Sequence, residues 1–268
     1  MRPPIGSAQA SHGHVLPCVQ QRGASEFDGE TTVPSTCREA RRPSGDAVAD
    51  AIQRSIFLEE VRRYRKRRRK PAIMICGGTG IGKTTTINTA CGREVGVVGH
   101  LSRGTEHMSR YRWGEPQRHI VLVDVPGLGD SKERDQASKA SFRRWARAAD
   151  AFIVVVTPPR PASLPTLRTV KALLKNGVRP DRIVFGFNRL TMLNVEVDGE
   201  LHPVAMGATG PVEPESRAAV EHGTAAFIHA LTAATGVPQF RTGQVVPYDA
   251  LTGWNVFPLL GRALGTIG

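Results

Sequence analysis

The chain has 268 residues, enough for one α/β domain of ordinary size with extensions but crowded for two full domains. Its net charge is +12, and eight of those positive charges lie in one run from Arg62 to Lys70, leaving only +4 for the rest. No run of eighteen apolar residues occurs, the N-terminus lacks a signal-type apolar core, and Cys18, Cys37, Cys76 and Cys91 form no Cys-x-x-Cys pair. A transmembrane protein, a zinc module and a disulfide framework are therefore not expected, and a cytoplasmic protein, at most peripheral to a membrane, is.

Residues 1–45 are rich in Pro, Gly, Ser, Ala and Arg without apolar periodicity, which predicts a disordered tail. From Asp46 to Lys70, Val48, Ile52, Ile56, Leu58 and Val61 recur at roughly helical spacing. Residues 46–70 should thus form an amphipathic helix, capped by Asp46 and ending before Pro71. Its run Arg62–Lys70 reads either as a solvated helix end or as a contact for RNA, ribosome or an anionic membrane surface.

The domain proper spans 71–268. The apolar run Ala72–Cys76 predicts a strand, and it leads into Gly77, Gly78, Thr79, Gly80, Ile81, Gly82, Lys83 and Thr84, followed by Thr85. This is the Gly-x-x-x-x-Gly-Lys-[Ser/Thr] pattern of a phosphate-binding loop. Its glycines suit a backbone that curls N–H groups around a β-phosphate, and Lys83 supplies a charge between the β- and γ-phosphates. Thr84 offers a hydroxyl to Mg²⁺, and the helix beginning near Lys83 adds its N-terminal dipole.

That helix should run to Cys91, with Ile87 and Ala90 inward. Residues 93–112 are polar and glycine-containing, which suits a flexible switch segment. Further on, strands are predicted at 118–125, 151–156, 182–188 and 244–247, and helices at 132–149, 166–176, 215–234 and after Trp254. Strands alternating with helices predict a three-layer α/β/α fold with a mostly parallel sheet. Residues 194–215, with Asp198-Gly199 and three prolines, break the rhythm as a hairpin-like insertion.

The strand Ile120–Val123 runs into Asp124-Val125-Pro126-Gly127. An aspartate at that place orients Mg²⁺, and the N–H of Gly127 is free to approach a γ-phosphate.

GGTGIGKT at 77–84, with DVPGLGDS about forty residues later, resembles the Era-like, TrmE-related bacterial P-loop GTPases, including the 50S ribosome-binding type of G domain. The resemblance covers roughly 71–265. It implies a switch that binds GTP or GDP with Mg²⁺ and hydrolyses GTP to GDP and phosphate. A threonine between the two motifs closes over the metal, and Thr105 occupies that place; Lys83, Thr105 and Gly127 are the expected catalytic group, and Thr84, Thr105 and Asp124 the expected metal group.

Two departures qualify the expectation. The family reads guanine with Asn-Lys-x-Asp, whereas this chain has Asn188-Arg189-Leu190-Thr191. Asn188 is expected at the base edge and the Arg189 stem over its face, but Thr191 cannot accept two hydrogen bonds as a carboxylate does, a loss of about 1.5–3 kcal/mol for each charge-assisted bond. Asp249 is a candidate replacement, and Ala250 is placed to touch the base through its backbone. Leu128 stands where many GTPases orient water with glutamine, so unaided turnover should be slow, on the order of 10⁻³ s⁻¹. Arg103, Arg110 and Arg112 are candidates to assist, as are a homodimer partner or an activating protein. A P-loop ATPase, a relaxed NTPase and a non-catalytic nucleotide-binding module remain the alternatives.

Overall fold

The computed structural model describes residues 19–21, 47–63, 70–95, 108–115, 118–125, 135–207 and 209–267. In chain order the elements are β1 (Val19–Gln21), α1 (Ala47–Arg63), β2 (Ala72–Cys76), α2 (Lys83–Cys91), β3 (Ser109–Glu115), β4 (Arg118–Asp124) and α3 (Asp135–Ala148). There follow β5 (Ala151–Val156), α4 (Leu164–Lys175), β6 (Ile183–Phe187), β7 (Asn194–Val197), β8 (Glu200–Pro203), β9 (Met206–Gly207) and β10 (Gly210–Pro211). The chain closes with α5 (Pro214–Thr235), β11 (Val245–Pro247) and α6 (Val256–Gly265).

One sheet of seven strands in the order β1-β3-β4-β2-β5-β6-β11 organises the molecule. From β4 to β11 neighbouring strands are parallel, and β3 and β1 extend the edge antiparallel. The central strands read as continuous apolar runs because both of their faces are covered. Met74, Cys76, Phe152 and Val154 point into one buried cluster, with Phe142 of α3, Val170 of α4 and Phe227 of α5. Ile73, Ile75, Ile153 and Val155 point into the other, with Phe57 of α1, Ile87 of α2 and Leu260 of α6. The predicted three-layer α/β/α arrangement with a mostly parallel sheet is the one observed.

Three expectations are corrected. Residues 109–112, assigned to a flexible segment, belong to β3: Tyr111 and Trp113 alternate inward at 2% and 1% exposure, while Arg112 faces out. The intervening arginines hide the two-residue period of a half-buried strand. Val19–Gln21, placed in the disordered tail, pairs with β3 as an edge strand; three residues carry no pattern from which to read it.

The third concerns α1, whose buried stripe is Phe57 and Val61. Ile52 and Ile56 point outward instead, at 55% and 58% exposure. Phe57 anchors the helix by packing, with tilted rings, 4.7 Å from Trp113 and 5.9 Å from Phe257, ring centroid to centroid. Asp46 and residues 64–69 lie outside the described residues. Cys91, at the end of α2, is buried and disulfide-bonded. The insertion at 194–215 is a β7–β8 hairpin turning at Asp198-Gly199, followed by the short β9–β10 pair.

Candidate functional site

β2, β4 and β5 end side by side, because Ile75 pairs with Asp124 and Cys76 with Val154. The glycine-rich loop therefore leaves the sheet beside Asp124, at the carboxyl ends of parallel strands where open α/β folds place ligands. Two glycines are required by space as well as by conformation. A Cβ on Gly77, at φ 135°, would sit 2.6 Å from the carbonyl oxygen of Val155. One on Gly82, at φ 104°, would lie 2.4 Å from Asn188 Nδ2.

Within the loop, Lys83 is buried and its Nζ donates to the carbonyl of Gly78 at 2.6 Å, so the ammonium spans the loop's mouth. Thr84 Oγ1 donates to Asp124 Oδ2 at 2.7 Å. Asp124 is fully buried. A hydroxyl and a carboxylate oxygen, brought together from positions forty apart in the chain, form the hard-oxygen donor set that suits Mg²⁺. These residues fit the ion.

The base side is held by Asn188, 2% exposed at the end of β6. Its Nδ2 donates to Ile81 O at 2.9 Å, and its Oδ1 accepts from Ala250 N at 3.0 Å. Both ends of the amide are thus engaged by main chain, and the side chain ties the phosphate loop to the turn at Ala250. Arg189, at φ 59°, donates through Nη2 to Gly80 O at 2.6 Å and lays its stem along the loop. Leu190 fills the core, whereas Thr191 is exposed on a short 3₁₀ turn. Asp249 Oδ1 accepts the N–H groups of Leu251 at 2.8 Å and Thr252 at 2.9 Å, so this carboxylate shapes its own turn.

Sequence reasoning missed a set of hydroxyls that fasten α2. Thr86 Oγ1 donates to Gly82 O and lies 2.8 Å from the hydroxyl of Tyr248, and Thr89 Oγ1 donates to Ala250 O at 2.6 Å. Nothing in the spacing of these residues marks them. Burial raises the Tyr248 phenol above its ordinary pKa, against the lowering effect of the Thr86 bond. Burial likewise pushes the Cys76 thiol up to about 12, in keeping with a buried apolar role rather than a reactive one.

Thr105, Gly127, Leu128 and Arg103 lie outside the described residues. Arg110 and Arg112 are on β3, with the Arg110 guanidinium 5.9 Å from the Trp145 ring centre. Of the basic run, Arg62 bonds Glu59 and, at 2.6 Å, Glu115. Those carboxylates raise its pKa, Glu115 first, and the contact ties α1 to β3. A cavity of about 610 Å³ between α1 and α6, lined by Phe57, Glu60, Val184 and Gly261, lies toward the opposite ends of the strands from the phosphate loop.

Residues 72–189 match the profile of a family described as "50S ribosome-binding GTPase". An uncharacterized protein of Escherichia coli, YkfA, is 34% identical over 87 residues, which are 32% of this chain and 30% of YkfA. GTPase Era of Brucella suis is 34% identical over 85 residues, 31% of this chain and 27% of Era. The matched stretch therefore spans less than a third of either relative. Among solved structures, Toc33 of Arabidopsis thaliana in complex with Mg²⁺ and GMPPNP gives a TM-score of 0.58 at 12% identity, covering 85% of this chain and 94% of that one. That likeness is one of fold.

Proposed function

Because residues 72–189 are a GTPase domain of the 50S ribosome-binding GTPase family, we propose that this protein binds GTP with Mg²⁺ and hydrolyses it to GDP and phosphate as a slow molecular switch. The observation that carries the proposal is the cradle: Lys83 across the loop, Thr84 bonded to Asp124, and Asn188 joining the loop to Ala250. Gly77, Gly78, Thr79, Gly80, Ile81, Gly82, Lys83, Thr84 and Thr85 hold the phosphates, Arg189 covers the base, and Asn188 positions both halves. Thr84 and Asp124, joined by Thr105, hold the ion, which when bound neutralises charge on the β- and γ-phosphates. Gly127 contacts the γ-phosphate through its N–H. Leu128 cannot orient water, so turnover waits on a second copy or an activating protein.

Relaxed base specificity is the second reading, favoured by exposed Thr191 and by the engagement of Asp249 within its own turn. In this proposal 1–45 is an N-terminal tail that touches the sheet edge at Val19–Gln21, 46–70 a basic helix that meets RNA, the ribosome or an anionic surface, and 71–268 the G domain. No helix among the described residues is long and apolar enough to cross a membrane.

Competition of GTP and ATP against a fluorescent GDP analogue, with and without Mg²⁺, tests the proposal. GTP should bind at least tenfold tighter under guanine selectivity, about 1.4 kcal/mol, and equal affinities select the relaxed reading. Phosphate release should fall to background in Lys83→Ala, and Thr84→Ala should remove the Mg²⁺ dependence of binding. Release unchanged in Lys83→Ala would defeat the catalytic claim.

A further inference from the structure

The fold displays a second concentration of positive charge, separate from the run at 62–70. α3 packs on β2 and α4 on the neighbouring β5, so the two helices lie on the same face of the sheet. Phe142 and Ala146 bury the inner side of α3, and Val170 and Leu173 that of α4. Outward they present Arg143, Arg144 and Arg147 on α3 and Arg168, Lys171 and Lys175 on α4, all exposed. The three on α4 fall at i, i+3 and i+7, one stripe about 10 Å long.

Beyond Asp135, the first residue of α3, acidic residues are scarce in this stretch. Between 140 and 175 the sequence contains a single acid, Asp150. It is buried and accepts the Ala72 N–H at 2.9 Å. None of the six cations makes an ion pair with a described residue. Like charges four residues apart, such as Arg143 and Arg147 or Lys171 and Lys175, weaken a helix. Solubility alone would be served as well by mixed charge, as on α5, where Glu215 and Glu221 accompany Arg217.

Four of the six are arginines, whose planar forks match phosphate oxygens in pairs. Among the described residues of the two helices, Leu164 is the one large apolar side chain exposed, at 59%, which is not the apolar face of a membrane-docking helix. Both helices pack against the sheet, so their cations spread over a broad surface shared by two helices instead of lining one helix set into a DNA major groove. Contact across a broad surface, made to the phosphate backbone and not to base edges, is the manner in which A-form RNA is bound. The geometry points to the α3–α4 face as a docking surface for duplex RNA, recognised through its phosphates and independent of sequence.

The test is fluorescence anisotropy of a labelled RNA duplex of roughly 20 base pairs with the full chain, nucleotide-free and with GDP, so that its outcome does not depend on hydrolysis. Binding should weaken with salt at a log–log slope of about −3 or steeper. The triple substitution Arg143→Glu, Arg147→Glu, Lys171→Glu should reduce affinity at least ~tenfold and flatten that slope, with the thermal melt and GDP affinity unchanged. A charge-matched triple elsewhere, Arg217→Glu, Arg241→Glu, Arg262→Glu, should leave affinity within about twofold, since only counter-ion release at the contact sets the slope. Equal loss from both triples, or no loss from the first, overturns the inference. So does equally tight binding to a DNA duplex of the same sequence or to vesicles with about 30% phosphatidylserine.

Discussion

At the scale of single residues, the site depends on one close approach of backbone to side chain, with no room for a Cβ between them. Gly82 turns left-handed directly against the Asn188 amide, which is itself held by Ile81 and Ala250. Asn188→Ala leaves those two buried main-chain groups unpartnered and should destabilise the fold by about 1–3 kcal/mol. Gly82→Ala should lose a similar amount, from strain at positive φ and from collision with Asn188. Because the collision disappears in the double variant, a urea-unfolding cycle should show at least ~0.5 kcal/mol of coupling. Strict additivity would show that the two residues do not meet. The phosphate side of this site was legible, since Gly77 to Thr84 and Asp124 form patterns fixed by the ligand's chemistry. The fastenings at Thr86, Thr89 and Tyr248 were not, because single hydroxyls on distant elements leave no spacing to read.

At the scale of elements, α1 joins the domain through an aromatic contact more than through its aliphatic stripe. Phe57 packs between Trp113 and Phe257, while Ile56 beside it is largely exposed. Phe57→Ala should cost about 3–5 kcal/mol in urea unfolding, and Ile56→Ala no more than about 0.5 kcal/mol. Similar losses from both would mean that the helix packs by the other face. Helix propensity and periodicity place α1 correctly, but they do not choose between two apolar stripes; the position of Trp113 on β3 does. β5 was readable to the residue because both faces are buried and turn signals flank it. β3 was not, since only Tyr111 and Trp113 carry its inward face among charged neighbours.

Across the whole molecule, buried acids that stay protonated set an alkaline limit. Cys76 and Tyr248 are neutral in the fold, and burial raises both pKa values, that of Cys76 from 9.0 to about 12. Their contribution is fully present below the unfolded-state pKa and is lost as pH rises through the interval up to the folded value. The melting temperature should therefore fall above pH ~9, and Cys76→Ala should move the onset upward toward the tyrosine range near 10. Lysine deprotonation relieves positive repulsion in the same interval and acts oppositely, so the readout is the difference between the two proteins. Identical pH profiles would exclude the thiol. The sequence locates its excess charge in Arg62–Lys70, yet the α3–α4 concentration emerges only when two helices separated by β5 are brought to one face. Charge counted along a chain does not reveal charge gathered by folding.

The hydroxyl bonds of α2 have a mechanical consequence. That helix is fastened at its first turn through Thr86 to Tyr248, and near its end through Thr89 to Ala250, while its Ala90 carbonyl accepts the Trp113 indole N–H at 2.8 Å. Clamped from both edges of the sheet, it serves as a stator: the helix that meets the phosphates stays fixed, and any displacement that follows nucleotide exchange has to be taken up elsewhere in the chain.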